Sequence, residues 1–128
     1  MKKHIAIVAG GDSSEYEVSL RSAAGIYSFM DKEAYDITVV CLHGLDWKAA
    51  ADYQGEGPVT FYTDPENKLT WETIDRNDFS FVHNGKKETF DFAYITIHGT
   101  PGENGLLQGY FDMIGLPYSC CGVLAAAV

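Results

Sequence analysis

The chain has 128 residues, 46% of them hydrophobic and 21% charged, a composition that builds a core and excludes wholesale disorder. Nine Lys and Arg against eighteen Asp and Glu leave a formal net charge of −9. Such a field repels phosphate backbones and anionic lipid, so no nucleic acid and no membrane is expected as a partner. A single domain of this length buries roughly two-thirds of its unfolded surface and needs neither disulfide nor structural metal. After Lys2-Lys3 and His4 come only five apolar residues, Ile5 to Ala9, before Gly10-Gly11. A secretory segment needs about 7–15 apolar residues and a membrane helix about 20, so neither is expected here. Cys41, Cys120 and Cys121 form no CxxC spacing, and their odd number argues against a disulfide framework. A cytoplasmic protein is expected.

In chain order, His4 to Ala9 is an apolar run ended by two glycines, the pattern of a buried strand in a parallel sheet. Val18, Ala23, Ala24, Ile26, Tyr27 and Met30 recur at helical spacing and predict a helix over residues 15–30. Ser14-x-x-Glu17 forms a capping box at its start, each side chain satisfying the other's orphan amide. Ile37 to Leu42 predicts a second strand. Strand, helix and strand make a βαβ unit with a right-handed crossover.

Residues 44–90 differ, with short alternating runs at Val59–Thr63, Leu69–Trp71 and Phe79–Val82, separated by Pro58, Asp64-Pro65 and Asn84-Gly85. Asn-Gly between apolar runs is a strong hairpin signal. The segment reads as an inserted antiparallel β-elaboration within the same domain. Phe92 to Ile97 returns to the buried-strand pattern, and after it come the loop His98 to Gly105 and a short amphipathic helix over Leu106–Ile114. Gly115 is expected to cap that helix ahead of a brief strand at Leu116–Ser119. Residues 122–128 read as an apolar helix cut in its second turn, so a longer parent protein is expected.

In an open α/β sheet, ligands bind beyond the carboxyl ends of the strands near the point where strand order reverses. Gly10 to Glu15 and His98 to Gly105 both come directly after strands and are candidates for that place. The first carries neither GxGxxG nor GxxxxGK[ST], so it cradles no dinucleotide or phosphate by those devices. Glu15, at a helix N-terminus, is held ionised by the helix dipole and suits a substrate ammonium. The plainer reading is that Glu15 only satisfies that dipole. His98 is either a hydrogen-bonded structural histidine or a site residue. Glu103, across Pro101-Gly102, can fold back and fix its ring. Gly99, Gly102 and Gly105 permit positive φ or close ligand approach, or serve as ordinary turn residues. Cys120 and Cys121 read as packing residues.

Three stretches resemble one family. Gly10-Gly-Asp-Ser-Ser-Glu-Tyr-Glu-Val-Ser-Leu20 resembles the opening signature of D-alanine–D-alanine ligases. His98-Gly-Thr-Pro-Gly-Glu-Asn-Gly-Leu-Leu-Gln-Gly109 resembles their second motif, and Leu116-Pro-Tyr-Ser-Cys-Cys-Gly-Val123 resembles the family's next stretch of chain. The resemblance covers the chain apart from the 44–90 insertion, whose length varies in the family. Asn104 stands where Asp is common, and Cys120-Cys121 where Gly-Ser is usual.

The resemblance implies an α/β fold with a Rossmann-like (pre-ATP-grasp), mainly parallel sheet, flanking helices and the inserted β-elaboration. It makes residues 1–128 the N-terminal substrate domain of an ATP-grasp ligase, inactive alone. ATP phosphorylates one D-alanine, and the amine of a second completes the dipeptide for peptidoglycan. Glu15 matches the glutamate that binds the first D-alanine ammonium, and Val18 a neighbour in that pocket. His98 and Gly99 match positions beside the substrate, with Glu103 in support. The ATP and Mg2+ sites of the family lie in central and C-terminal domains, so neither is expected to bind these residues. A homodimer is expected. The alternatives are a stand-alone flavodoxin-like binding module and the N-terminal domain of another ATP-grasp ligase. A single acid, Asp12, after the first strand disfavours a receiver-type module.

Overall fold

A computed structural model describes residues 3–10, 16–43, 46–51, 53, 70–96 and 109–120. Their elements are β1 (Lys3–Gly10), α1 (Tyr16–Phe29), β2 (Tyr35–His43), β3 (Asp46–Ala50), β4 (Trp71–Thr73), β5 (Phe81–His83), β6 (Lys86–Glu88), β7 (Phe92–Ile95) and β8 (Tyr118–Cys120). Residues 109–114 are helical and form the described part of α2. Six strands make one mixed sheet in the order β4-β3-β2-β1-β7-β8, and β5-β6 is a separate hairpin. Strands β2, β1, β7 and β8 run parallel, whereas β3 and β4 are antiparallel additions.

The unbroken apolar run of β1 is explained by cover on both faces. Ile7 and Ala9 pack with Val39, Cys41 and the α1 residues Ala23 and Tyr27. Ala6 and Val8 point the other way, to Val40, Leu42, Ile95 and Phe111 of α2. Alternate residues of one strand thus enter opposite cores. A fully buried Val or Ile stabilises by about 1.5–3 kcal/mol, and Ile7, Val8, Val39, Val40 and Ile95 are all fully buried.

Local signals place several elements well. The β5–β6 hairpin turns at Asn84 and Gly85, with φ of 53° and 76°, the paired positive φ values of a type I′ turn. Gly115 ends α2 at φ 74°. Its amide donates to the Asp112 carbonyl at 3.2 Å and the Leu116 amide to the Phe111 carbonyl at 3.0 Å, a Schellman closure. The helix α1 begins at Tyr16, while Ser14 of the expected capping box lies outside the described residues.

Elsewhere the structure departs from the sequence reading. Strand β3 was not expected, because Asp-Trp-Lys-Ala-Ala has little intrinsic strand preference. Pairing with β2, Leu42 opposite Trp47 and Val40 opposite Ala49, makes it a strand. The Val59–Thr63 run lies outside the described residues, and so does Leu69, leaving β4 to start at Trp71. The Phe79–Val82 run becomes β5 only from Phe81. Phe79 sits instead in a four-residue turn at φ 54°, closed by paired amide–carbonyl bonds between Asp75 and Ser80. Positive φ is costly for a bulky side chain. Burial holds it there. The Phe79 ring is fully buried, with centroids 5.0 Å from Phe111, 5.3 Å from Phe90 and 6.1 Å from both Trp47 and Tyr110. The strand expected over Leu116–Ser119 is Tyr118–Cys120, starting two residues later and ending one later, and Ile97 lies beyond the described end of β7.

Candidate functional site

The strand order reverses between β1 and β7. From β1 the chain passes through α1 to β2 on one side, and from β7 through α2 to β8 on the other. The helices pack on opposite faces, α1 through Ala23 and Tyr27, α2 through Phe111. Because β1 and β7 are parallel neighbours, with Val8 opposite Ile95, the segments 11–15 and 97–108 both leave from the same edge. Opposed crossovers leave a crevice between such strand ends, the usual ligand position in open α/β sheets.

Two described residues fix where these segments depart. Gly10 closes β1 at φ 102°, and a Cβ there would stand 2.3 Å from the Leu42 carbonyl oxygen. Only glycine lets the backbone of β1 approach β2 so closely. Thr96 ends the β7 side. Both its amide (2.8 Å) and its hydroxyl (2.9 Å) donate to the Val8 carbonyl, and the residue is fully buried. The sequence reading singled out neither as an anchor, although a threonine inside Phe-Ala-Tyr-Ile-Thr-Ile was a visible sign of an internal hydrogen bond.

The 44–90 segment reaches this region through α2. The Tyr110 hydroxyl donates to the Arg76 carbonyl at 2.7 Å, and its ring meets Trp47 edge-to-face at 5.2 Å. Partial burial, reinforced by the Asp78 carboxylate, pushes the Tyr110 phenol up to about 12, so it stays protonated as a donor. The insertion therefore seats the helix that comes after segment 97–108. Cys41 is buried in β2, and desolvation raises its thiol to about 12, which removes it as a nucleophile near neutral pH.

Glu15, His98, Gly99 and Glu103 lie outside the described residues, as do Gly102, Gly105 and Cys121. Val18 is the third residue of α1, and its side chain is also outside them, like that of Cys120 in β8. The fold brings the strands that precede these motifs side by side. Among the described residues no three His, Cys, Asp or Glu side chains assemble as a metal site, and no helix is long and apolar enough to cross a membrane.

A family profile described as D-ala D-ala ligase N-terminus matches residues 4–121. The chain belongs to this family. D-alanine–D-alanine ligase of Bacteroides fragilis is 58% identical over 128 residues, which is 100% of this chain and 35% of that protein. The Porphyromonas gingivalis D-alanine–D-alanine ligase is 48% identical over 120 residues, covering 93% and 32%. Among solved structures, the VanG D-Ala:D-Ser ligase from Enterococcus faecalis superposes with a TM-score of 0.72 at 28% identity, over 92% of this chain and 35% of that one. D-alanyl-alanine synthetase A from Vibrio cholerae gives 0.64 at 27% identity, over 92% and 31%. The chain spans about a third of the length of these ligases. The mixed sheet with few described helices is that of the ligase N-terminal domain.

Proposed function

We propose that this chain is the N-terminal substrate domain of an ATP-dependent D-alanine–D-alanine ligase. The observation that carries the reading is the family match over residues 4–121, joined to a fold in which both ligase motifs come after neighbouring parallel strands. In this reading the four parallel strands with a helix on each face are the Rossmann-like (pre-ATP-grasp) core of the domain. One D-alanine carboxylate is phosphorylated by ATP, and the amine of the second displaces the phosphate to form the dipeptide used in peptidoglycan. Glu15 holds the ammonium of the first D-alanine, with Val18 beside it. His98 and Gly99 flank the substrate, and Glu103 orients His98.

In this reading ATP and its magnesium are held by the remaining two-thirds of such a protein. The domain contributes binding and orientation of the amino acid. A cytoplasmic location and a homodimer accompany this reading, the first because the product is a precursor made from ATP.

Glu15→Gln in the full-length protein tests it. The change keeps side-chain shape and removes the charge that faces the ammonium. A hydrogen bond to a charged group contributes about 1.5–3 kcal/mol, so kcat/KM for D-alanine falls about 10- to 150-fold. ATP affinity is the internal control and stays unchanged. Normal ligation by a variant with a lowered Tm would make Glu15 a helix cap only.

A further inference from the structure

Three polar side chains are buried among the described residues, those of Thr38, Ser80 and Thr96. A buried hydroxyl needs a partner, and the place of that partner shows what the bond holds together. Ser80 donates to the Asp78 carboxylate two residues away and closes its own turn. The Thr38 hydroxyl lies 2.7 Å from His4 Nε2 and joins the starting halves of β2 and β1. Thr96 lies at the other end of the sheet, where the chain leaves for the second ligase motif.

The Thr96 hydroxyl is surplus to the strand pairing. The Thr96 amide already donates to the Val8 carbonyl at 2.8 Å and continues the ladder between β7 and β1. The hydroxyl donates to the same oxygen at 2.9 Å, in a residue that is fully buried. Two donors on one carbonyl fix the backbone of Thr96 and its χ1 angle together. A valine would fill the same space and keep the amide bond, as Val8 and Ile95 fill the paired positions beside it.

Position gives this extra bond its consequence. Val8 stands two residues before Gly10, which opens the first motif, and Thr96 two residues before His98, which opens the second. One carbonyl thus ties together the departures of both segments. Glu15 and His98 serve one amino acid only if those segments leave at a fixed spacing, and small misplacements of binding groups are costly. We propose, on the ligase reading above, that Thr96 is a positioning residue for D-alanine. Its hydroxyl, bound to Val8, holds segment 97–108 in register with segment 11–15. It acts through them and does not touch substrate.

The test is steady-state ligation by variants of the full-length protein. Thr96→Val removes the hydroxyl with side-chain shape kept. It should raise KM for the first D-alanine about three- to tenfold, the span of one net hydrogen bond. The kcat and the KM for ATP should stay within about twofold of the unmodified protein. Thr96→Ala should raise the D-alanine KM likewise. Thr96→Ser keeps the hydroxyl and loses a methyl, so it should restore that KM despite a lower Tm. Thr38→Val removes the corresponding hydroxyl at the far end of the strands and should leave all three constants unchanged. A normal KM in Thr96→Val, an equal rise in Thr38→Val, or no rescue by Thr96→Ser would each overturn the proposal. An unmodified protein that forms no D-alanyl dipeptide would overturn the ligase reading first, and the proposal with it.

Discussion

Replacing three glycines by alanine separates backbone strain from steric conflict at the strand end that leads into the first ligase motif. Gly10 has φ 102°, and a built Cβ lies 2.3 Å from the Leu42 carbonyl oxygen and 3.0 Å from the Leu42 amide nitrogen. Those atoms belong to β2, where Gly10 and Leu42 are register partners, so they cannot retreat without disturbing the ladder. Positive φ costs an alanine about 1–2 kcal/mol. Forcing a methyl into packed surroundings adds about 1–3 kcal/mol, giving about 2–5 kcal/mol for Gly10→Ala. Gly115 also has positive φ, 74°, but a Cβ there meets nothing within 4 Å, so Gly115→Ala should cost only the conformational part, about 1–2 kcal/mol. Gly25, inside α1, has neither problem, and Gly25→Ala should stabilise by about 0.5–1 kcal/mol. At about 3 °C per kcal/mol for a domain of this size, the melting temperatures separate clearly. Urea unfolding with an unchanged m-value checks that only stability has moved. If Gly10→Ala costs no more than Gly115→Ala, the close approach of β1 to Leu42 is not fixed, and the anchoring role given to Gly10 fails.

Tyr110→Phe removes the hydroxyl that reaches Arg76 and should cost about 1 kcal/mol, whereas Phe111→Ala empties a fully buried site and should cost about 3–5 kcal/mol; chemical denaturation measures both. Asp78 is held below the usual carboxylate range by its hydrogen bond to Lys87 and then by Ser80, and Lys87 is raised mainly by Asp78. The Asp78 contribution is present above its unfolded value and fades as pH falls through the folded one, while that of Lys87 fades as pH rises through its own raised value. Lys87→Met should flatten the acid limb of the stability–pH profile, read as Tm across pH, and an unchanged limb would remove the pair from consideration. Cys41, with its thiol raised to about 12, should resist iodoacetamide at mildly alkaline pH until the protein is unfolded, as mass spectrometry of the Cys41 peptide would record.

The motifs proposed for the site are legible in the sequence because they are compact. Gly10 to Leu20 and His98 to Gly109 each carry their residue types in one contiguous stretch, and the glycines around them mark where strands stop. Both stretches were expected at strand ends on one crevice. The direct pairing of β7 with β1 was not legible, because more than eighty residues separate the partners, as they do His4 and Asp91 in their backbone-to-carboxylate bond of 2.8 Å. Nor was the part played by the insertion. Arg76, Phe79 and Tyr110 are distant in sequence and each unremarkable alone, yet together they seat α2.

By itself the sequence determined the elements whose causes are local. The apolar runs of β1 and β2, the period of α1, the Asn84-Gly85 turn and the Gly115 cap each arise from side-chain volume, backbone freedom or hydrogen bonding within a few residues. Only the tertiary structure decided the elements whose stability comes from elsewhere. Asp46–Ala50 is a strand because β2 offers an open edge, and Phe79 holds a positive φ because Trp47, Phe90 and Phe111 enclose its ring. Local preference spans about 1 kcal/mol per residue, whereas burial of an aromatic side chain or completion of a sheet edge exceeds it, so at those positions the long-range contacts set the conformation.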